Sequence, residues 1–155
     1  MTAVMEGKTR QRAHERVAVV HVVDDDASMR DSLCELLRSV ALEVQSHPGA
    51  DAFLRDWDPE HPGCVVLDLR MPEKSGLELQ RELNRNQRGI PIIFLTGHGS
   101  VSSAVRAMKG GALDFLTKPV DPDELLTRIH DAIAADRQAL VERRREWALR
   151  RRRHT

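Results

Sequence analysis

The sequence predicts an α/β fold: a doubly wound sheet of five parallel strands with five helices, the last of them extended. Two observations predict it. Short apolar runs alternate with amphipathic stretches along the 155 residues, the pattern of successive βα units. Four of the runs also end on polar residues: Asp24-Asp25 after 19–23, Asp68 after 64–67, Thr96 after 90–95 and Lys118 after 113–117. In an open parallel sheet the carboxyl ends of the strands open onto one crevice. The three carboxylates, the hydroxyl and the ammonium are therefore expected to meet.

The elements follow in order. A first strand at 18–23 leads into a helix at 28–39, with Leu33, Leu36, Leu37 and Val40 at helical spacing and Asp26 as an N-terminal cap. A polar second strand at 42–46 reads as an edge strand, and a short helix at 50–56 has Ala52, Phe53 and Trp57 as its apolar side. The turn-rich stretch 58–63 precedes the third strand, 64–67. Pro72 and Gly76 bracket the next loop, and a helix runs from 76 to 86. The fourth strand is 91–95; the fourth helix, 101–109, is ended by Gly110-Gly111. The fifth strand is 114–116. The fifth helix starts behind Asp121-Pro122, a cap followed by a first-turn proline. This is a flavodoxin-like arrangement.

Nothing breaks the fifth helix: residues 132–148 contain neither Gly nor Pro. Leu126, Ile133, Leu140 and Trp147 are seven apart, one row of a heptad. The companion row, Ile129, Asp136 and Arg143, loses apolarity after its first member. A full coiled coil is not supported; a helix extending past the domain as a signalling linker or weak dimer seam is.

Length predicts one domain with a sizeable core. Apolar content of 41% is ordinary for a globular chain. Formal net charge is zero and hides an asymmetry. Residues 1–16 carry four basic and two acidic groups, residues 141–155 seven arginines and two glutamates, and the remainder 13 basic and 20 acidic residues. An acidic body disfavours nucleic acid, whereas the basic end reads either as a contact to DNA phosphates or, more simply, as a solvated helix face. Cys34 and Cys64 sit in apolar stretches and read as reduced core thiols of a cytoplasmic protein. No run of about 18 apolar residues suggests a membrane span. The basic N-terminus lacks the apolar segment of a secretory signal and reads as a flexible leader, 1–16.

The clustered groups have a definite chemistry. Asp24, Asp25 and Asp68 together repel and raise one another's pKa, a cost that a divalent cation removes. Mg²⁺ favours one or two carboxylates with waters and substrate phosphate. A strand-end carboxylate such as Asp68 is a usable nucleophile toward an activated phosphoryl group, and phosphoryl transfer needs alignment and charge neutralisation above all. Lys118 supplies a mobile point charge for phosphoryl oxygens. Each residue alone has a plainer reading: Asp68 as a solvated strand end, Asp24–Asp26 as a cap run, Thr96 as a strand residue, Lys118 as a loop lysine.

The ordered set, Val23-Asp24-Asp25-Asp26, Val66-Leu67-Asp68-Leu69-Arg70-Met71-Pro72 with Ser75-Gly76, Thr96-Gly97-His98-Gly99 and Asp114-Phe115-Leu116-Thr117-Lys118-Pro119, resembles the receiver domain of two-component response regulators over about residues 17–137. The wording is closest to the FixJ-like branch. The resemblance implies that Asp68 accepts a phosphoryl group from a sensor histidine kinase. It implies that Mg²⁺ is held directly by Asp25, Asp68 and the backbone carbonyl of Arg70, and through water by Asp24. It further implies a cis Lys118–Pro119 bond, with Thr96 and Phe115 as switch residues, although Phe115 also reads as core packing. His98 reads either as a modulator of water access or as a solvated loop residue.

On this resemblance the chain divides into the leader, a receiver domain at 17–137 and a basic helical linker or tail at 138–155. The domain is expected to be a phosphoacceptor with slow self-dephosphorylation rather than a dedicated enzyme, and to dimerise on phosphorylation. Its helix 4, strand 5 and helix 5 surface is expected to control output. Two output readings stay open: transcription through a DNA-binding domain outside this chain, or a natural single-domain receiver acting by protein contact. An aspartyl-nucleophile phosphatase of the haloacid dehalogenase type is a remote alternative, since the chain has no cap segment and no acidic pair after a late strand. A flavodoxin is disfavoured because the loop after the first strand lacks a phosphate-binding Ser/Thr/Gly cluster.

Overall fold

The inner strands are apolar at nearly every position, and the fold covers them on both faces. The computed structural model describes residues 12–86, 88–97 and 101–153. In it β1 (Val19–Val23), β2 (Glu43–His47), β3 (Gly63–Asp68), β4 (Ile92–Thr96) and β5 (Asp114–Thr117) form one parallel sheet. The strand order is β2-β1-β3-β4-β5, the flavodoxin-like doubly wound topology. β1, β3 and β4 are buried along almost their whole length, as strands flanked by helices must be. β2 lies at the edge, and only its His47 is buried.

Five helices cover the sheet: α1 (Ala27–Ser39), α2 (Ala50–Asp56), α3 (Gly76–Arg85), α4 (Val101–Lys109) and α5 (Pro122–Arg153). Alternation along the strands divides the core in two. Val20, Val22, Val66 and Ile93 face Leu33 and Leu37 of α1 and Leu125 and Ile129 of α5. Val23, Val65, Leu67 and Phe94 face Phe53 of α2, Leu79 and Leu83 of α3, and Ala107 of α4. Truncating any such fully buried leucine to alanine costs about 2–5 kcal/mol.

Local chemistry sets the ends. Asp26 caps α1 by accepting from the Ser28 and Met29 amides. Ser75 caps α3 by accepting from the Glu78 amide at 3.2 Å, the first half of a Ser-x-x-Glu box. Asp121 accepts from the Asp123 amide ahead of α5. α4 ends where Gly111 takes φ +93, a value that needs no Cβ.

Two expectations about buried faces are corrected. Val40, placed on the apolar side of the first helix, is 43% exposed just past its end, and Cys34 takes the inward position. On α5 two members of the row read as losing apolarity, Ile129 and Asp136, are buried, and the third, Arg143, is half-buried. Ile129 is fully buried, and Asp136 is 2% exposed because it is paired. Its carboxylate accepts from both terminal nitrogens of Arg88, at 2.9 and 2.8 Å, and from the Gly63 amide at 2.8 Å. Leu140 is the last buried residue of the helix among those described, and Trp147, in the row read as apolar, is 59% exposed. Of the leader, Ala13–Glu15 form a 3-10 turn. The carbonyls of His14 and Arg16 accept from Arg137 of α5.

Cys34 and Cys64 are both buried and free. Burial, reinforced by Asp136, pushes the Cys64 thiol up to about 12. No helix among the described residues is long and apolar enough to cross a membrane.

Candidate functional site

Parallel register aligns the strand ends. Val23 pairs with His47 on one side and Leu67 on the other, Asp68 with Leu95, and Thr96 with Thr117. Asp24, Asp68, Thr96 and Lys118 thus reach one edge of the sheet from four adjacent strands. Asp24, Asp25 and Asp68 each offer an oxygen, and the three lie within 4.8 Å of one another. Lys118 Nζ stands 3.2 Å from Asp24 Oδ2 and 3.9 Å from Asp68 Oδ1.

Asp24 is almost fully buried. Besides Lys118, its Oδ1 accepts from the Asp26 amide at 2.9 Å. Its backbone carbonyl accepts from Arg30 Nη1 at 2.7 Å. Asp25 is exposed and Asp68 half-buried. Burial first, and the neighbouring Asp24 second, push the Asp68 carboxyl up to about 6 from an ordinary 3.8. Lys118 and the Arg70 amide, 3.4 Å from Asp68 Oδ1, pull the other way, and Asp25 adds to the rise. One ammonium does not offset three carboxylates, so the cluster is built to receive more positive charge. These residues fit a hard divalent cation, which prefers oxygen ligands.

Thr96 is buried, and its carbonyl accepts from the Lys118 amide at 2.7 Å, which ties the end of β5 to β4. The Lys118–Pro119 bond is cis. Phe115 is half-buried, with its ring centroid 6.2 Å from that of Phe94 on the adjacent strand. Arg70 is exposed, and its amide bond to Asp68 puts its backbone at the cluster. His98 and Gly99 lie outside the described residues.

Two contributors have parts at the site that the sequence does not reveal. Arg30 holds the backbone of Asp24 from the first turn of α1, and nothing in its local pattern singles it out. Gly76 is legible as a loop bracket and as part of the Ser75-Gly76 motif, but its packing against Asp68 is not. A Cβ there would lie 2.6 Å from the Asp68 carbonyl oxygen and 3.0 Å from the Phe94 ring, so α3 starts hard against the acceptor's backbone. A groove of about 320 Å³ adjoins the cluster on this side, between Pro48, Asp51, Met71, Pro72 and Lys74, with Asp25 at its border. Lys74, which lines it, pairs with Asp51 and Glu82.

Comparisons with known proteins identify a family. The family model described as the response regulator receiver domain matches residues 20–130. The chain belongs to that family. Nodulation protein W of Bradyrhizobium diazoefficiens is 51% identical over 121 residues, covering 78% of this chain and 53% of that protein. The transcriptional regulatory protein FixJ of Azorhizobium caulinodans is 47% identical over 114 residues, covering 74% and 54%. Among solved structures, the crystal structure of FixJ-N superposes with a TM-score of 0.70 at 42% identity, covering 77% of this chain and 95% of that one. The chain thus spans about half the length of the curated relatives it matches.

Proposed function

We propose that this chain is the phosphate-accepting switch of a two-component system, with Asp68 as the acceptor. The observation that carries the reading is the cluster itself: three carboxylates within 4.8 Å, with one lysine in reach of two of them. An Asp68 oxygen attacks the phosphorus of a phosphohistidine on a sensor kinase. The bond to the histidine nitrogen breaks, and an acyl phosphate forms. Lys118 compensates the charge on the phosphoryl oxygens, exchanging its contact with Asp24 for them. Asp25, Asp68 and the Arg70 carbonyl, with Asp24 through water, are the groups to hold Mg²⁺, which when bound supplies charge neutralisation for the transferring group.

The new dianion draws the Thr96 hydroxyl and favours the inward state of Phe115. The populations at the surface formed by α4, β5 and α5 then shift. Water later removes the phosphoryl group, so the domain is a slowly self-resetting acceptor rather than a dedicated enzyme. The name of one relative, a transcriptional regulatory protein, supports transcription as the output; a cytoplasmic location and a DNA-binding domain outside this chain are part of the same proposal. Dimerisation on phosphorylation belongs to the same reading.

Incubation with acetyl phosphate and Mg²⁺, read by intact mass, tests the acceptor. The expected result is gain of one phosphoryl group by the wild type, and none by Asp68→Asn or without metal. Phosphorylation of Asp68→Asn to the wild-type extent would sink the assignment.

A further inference from the structure

The end of α5 is a cationic rod held away from an acidic body. Leu140 is the last buried residue among those described, and residues 144–152 are all exposed. The buried Asp136–Arg88 pair and the Arg137 bonds to the leader fix the helix just before that point. The basic segment, about 15 Å of helix for residues 144–153, is therefore aimed by the fold and does not fold back on the body that would attract it. Residues 141–155 carry seven arginines against two glutamates, while residues 17–140 hold 13 basic and 20 acidic groups.

Six of the seven arginines fall in three rows seven residues apart: Arg143 and Arg150, Arg144 and Arg151, Arg145 and Arg152. Successive rows are about 100° apart around a helix of 3.6 residues per turn, so the outer two occupy opposite flanks. Trp147 and Leu149, the large apolar residues here, are 59% and 54% exposed and also stand on opposite sides. Arg151 lies over the Trp147 ring at 4.7 Å, and Arg150 pairs with Glu146 at 3.6 Å. There is no apolar stripe, as a helix lying in a membrane surface or a coiled coil requires. Charge on both flanks suits a ligand that runs along both sides of the helix. A duplex major groove, roughly 12 Å wide, admits an α-helix between two phosphate strands.

We propose that residues 144–152 form a sequence-independent binding site for the phosphate backbone of duplex nucleic acid. Its arginines exchange condensed counterions for phosphate contacts.

Fluorescence anisotropy of a short labelled duplex of mixed sequence, titrated with the full chain at several NaCl concentrations, tests this. Binding is expected at low salt, with a log–log salt slope of about −3 to −5, for three to five neutralised phosphates at about 0.9 each. The triple variant Arg144→Gln, Arg145→Gln, Arg150→Gln keeps helix propensity. It should lose at least tenfold in affinity and flatten the slope by about 0.9 per contact removed. Its phosphoryl uptake at Asp68 should match the wild type, which shows that the fold is intact. Absence of binding at low salt, or an unchanged slope in a variant that still takes up phosphate, overturns the proposal. Tighter binding to phosphatidylserine vesicles than to duplex overturns it in favour of a membrane surface.

Discussion

Asp68 carries two opposing demands. On the proposed reading it sits close to Asp24 and Asp25 to share a cation, yet burial first, and that closeness second, push its carboxyl up to about 6. The sign of the consequence follows from linkage. Between 3.8 and about 6 the folded protein holds a proton on Asp68 that the unfolded chain has lost. The metal-free protein therefore loses stability on this account as pH rises through that window, with the full contribution present below it. The buried pair His21 and His47, 3.1 Å apart, has the opposite slope. Burial first, then His47, lowers His21 to about 3, so its contribution is complete above 6.5 and is lost as pH falls. Comparing urea midpoints of wild type and Asp68→Asn across pH 4–7 without metal separates the two. The variant should lack the falling component and should be the more stable protein near neutral pH. Parallel profiles would show that the carboxylate cluster does not strain the fold.

At the scale of the element, α5 is the helix whose sequence pattern and packing disagree most instructively. Periodicity alone favours the row Leu126, Ile133, Leu140 and Trp147. The sheet instead buries Leu125, Ile129, Ala132, Asp136 and Leu140. A carboxylate is tolerated there because the Arg88 guanidinium meets it with two bonds and the Gly63 amide with a third. Arg88 in turn donates to the carbonyls of Pro59, His61 and Gly89. Every partner of this buried pair is satisfied, which is the condition under which such a pair is retained. Asp136→Ala would leave Arg88 without its counter-charge and orphan the Gly63 amide. An expected loss of about 3–5 kcal/mol, read from urea unfolding, follows. A loss below about 1 kcal/mol, the range of exposed pairs, would mean that the pair is not buried in solution.

At the scale of the molecule, acidic cluster and basic rod lie toward opposite ends of the strands. The cluster lies at the carboxyl ends of the strands. The Asp136 anchor meets Gly63, at the amino end of β3. α5, which starts four residues after Lys118, runs the length between them and continues past Leu140. Metal binding at the cluster should register in the stability of the whole domain, since a ligand of the folded state alone stabilises it by mass action. At a hundredfold excess over its dissociation constant Mg²⁺ should add about 2.7 kcal/mol, a rise in Tm of about 5–10 °C. Asp25→Asn, which changes an exposed ligand, should remove most of that rise without lowering the metal-free Tm. An equal rise in both proteins would place the cation elsewhere.

The chain's local patterns determined the element types, their order and the residues that end each strand, because a period of two or 3.6, a capping Asp or Ser and a Gly-Gly stop act within a few neighbouring residues. Parallel topology then brings strand ends together, which is why the positions of Asp24, Asp68, Thr96 and Lys118 along the chain already imply one shared site. The tertiary structure alone decided the rest. Asp136 and Arg88 are 48 residues apart, Gln80 bonds the Ala107 carbonyl across 27, and Lys118 finds Asp24 across 94. No local pattern encodes such partners. A polar residue on an apolar face reads as an interruption until the fold supplies the group that satisfies it. The same holds for Arg30 and Gly76, whose parts at the site depend on a backbone brought close by packing, and for the direction in which the arginine-rich end of α5 points.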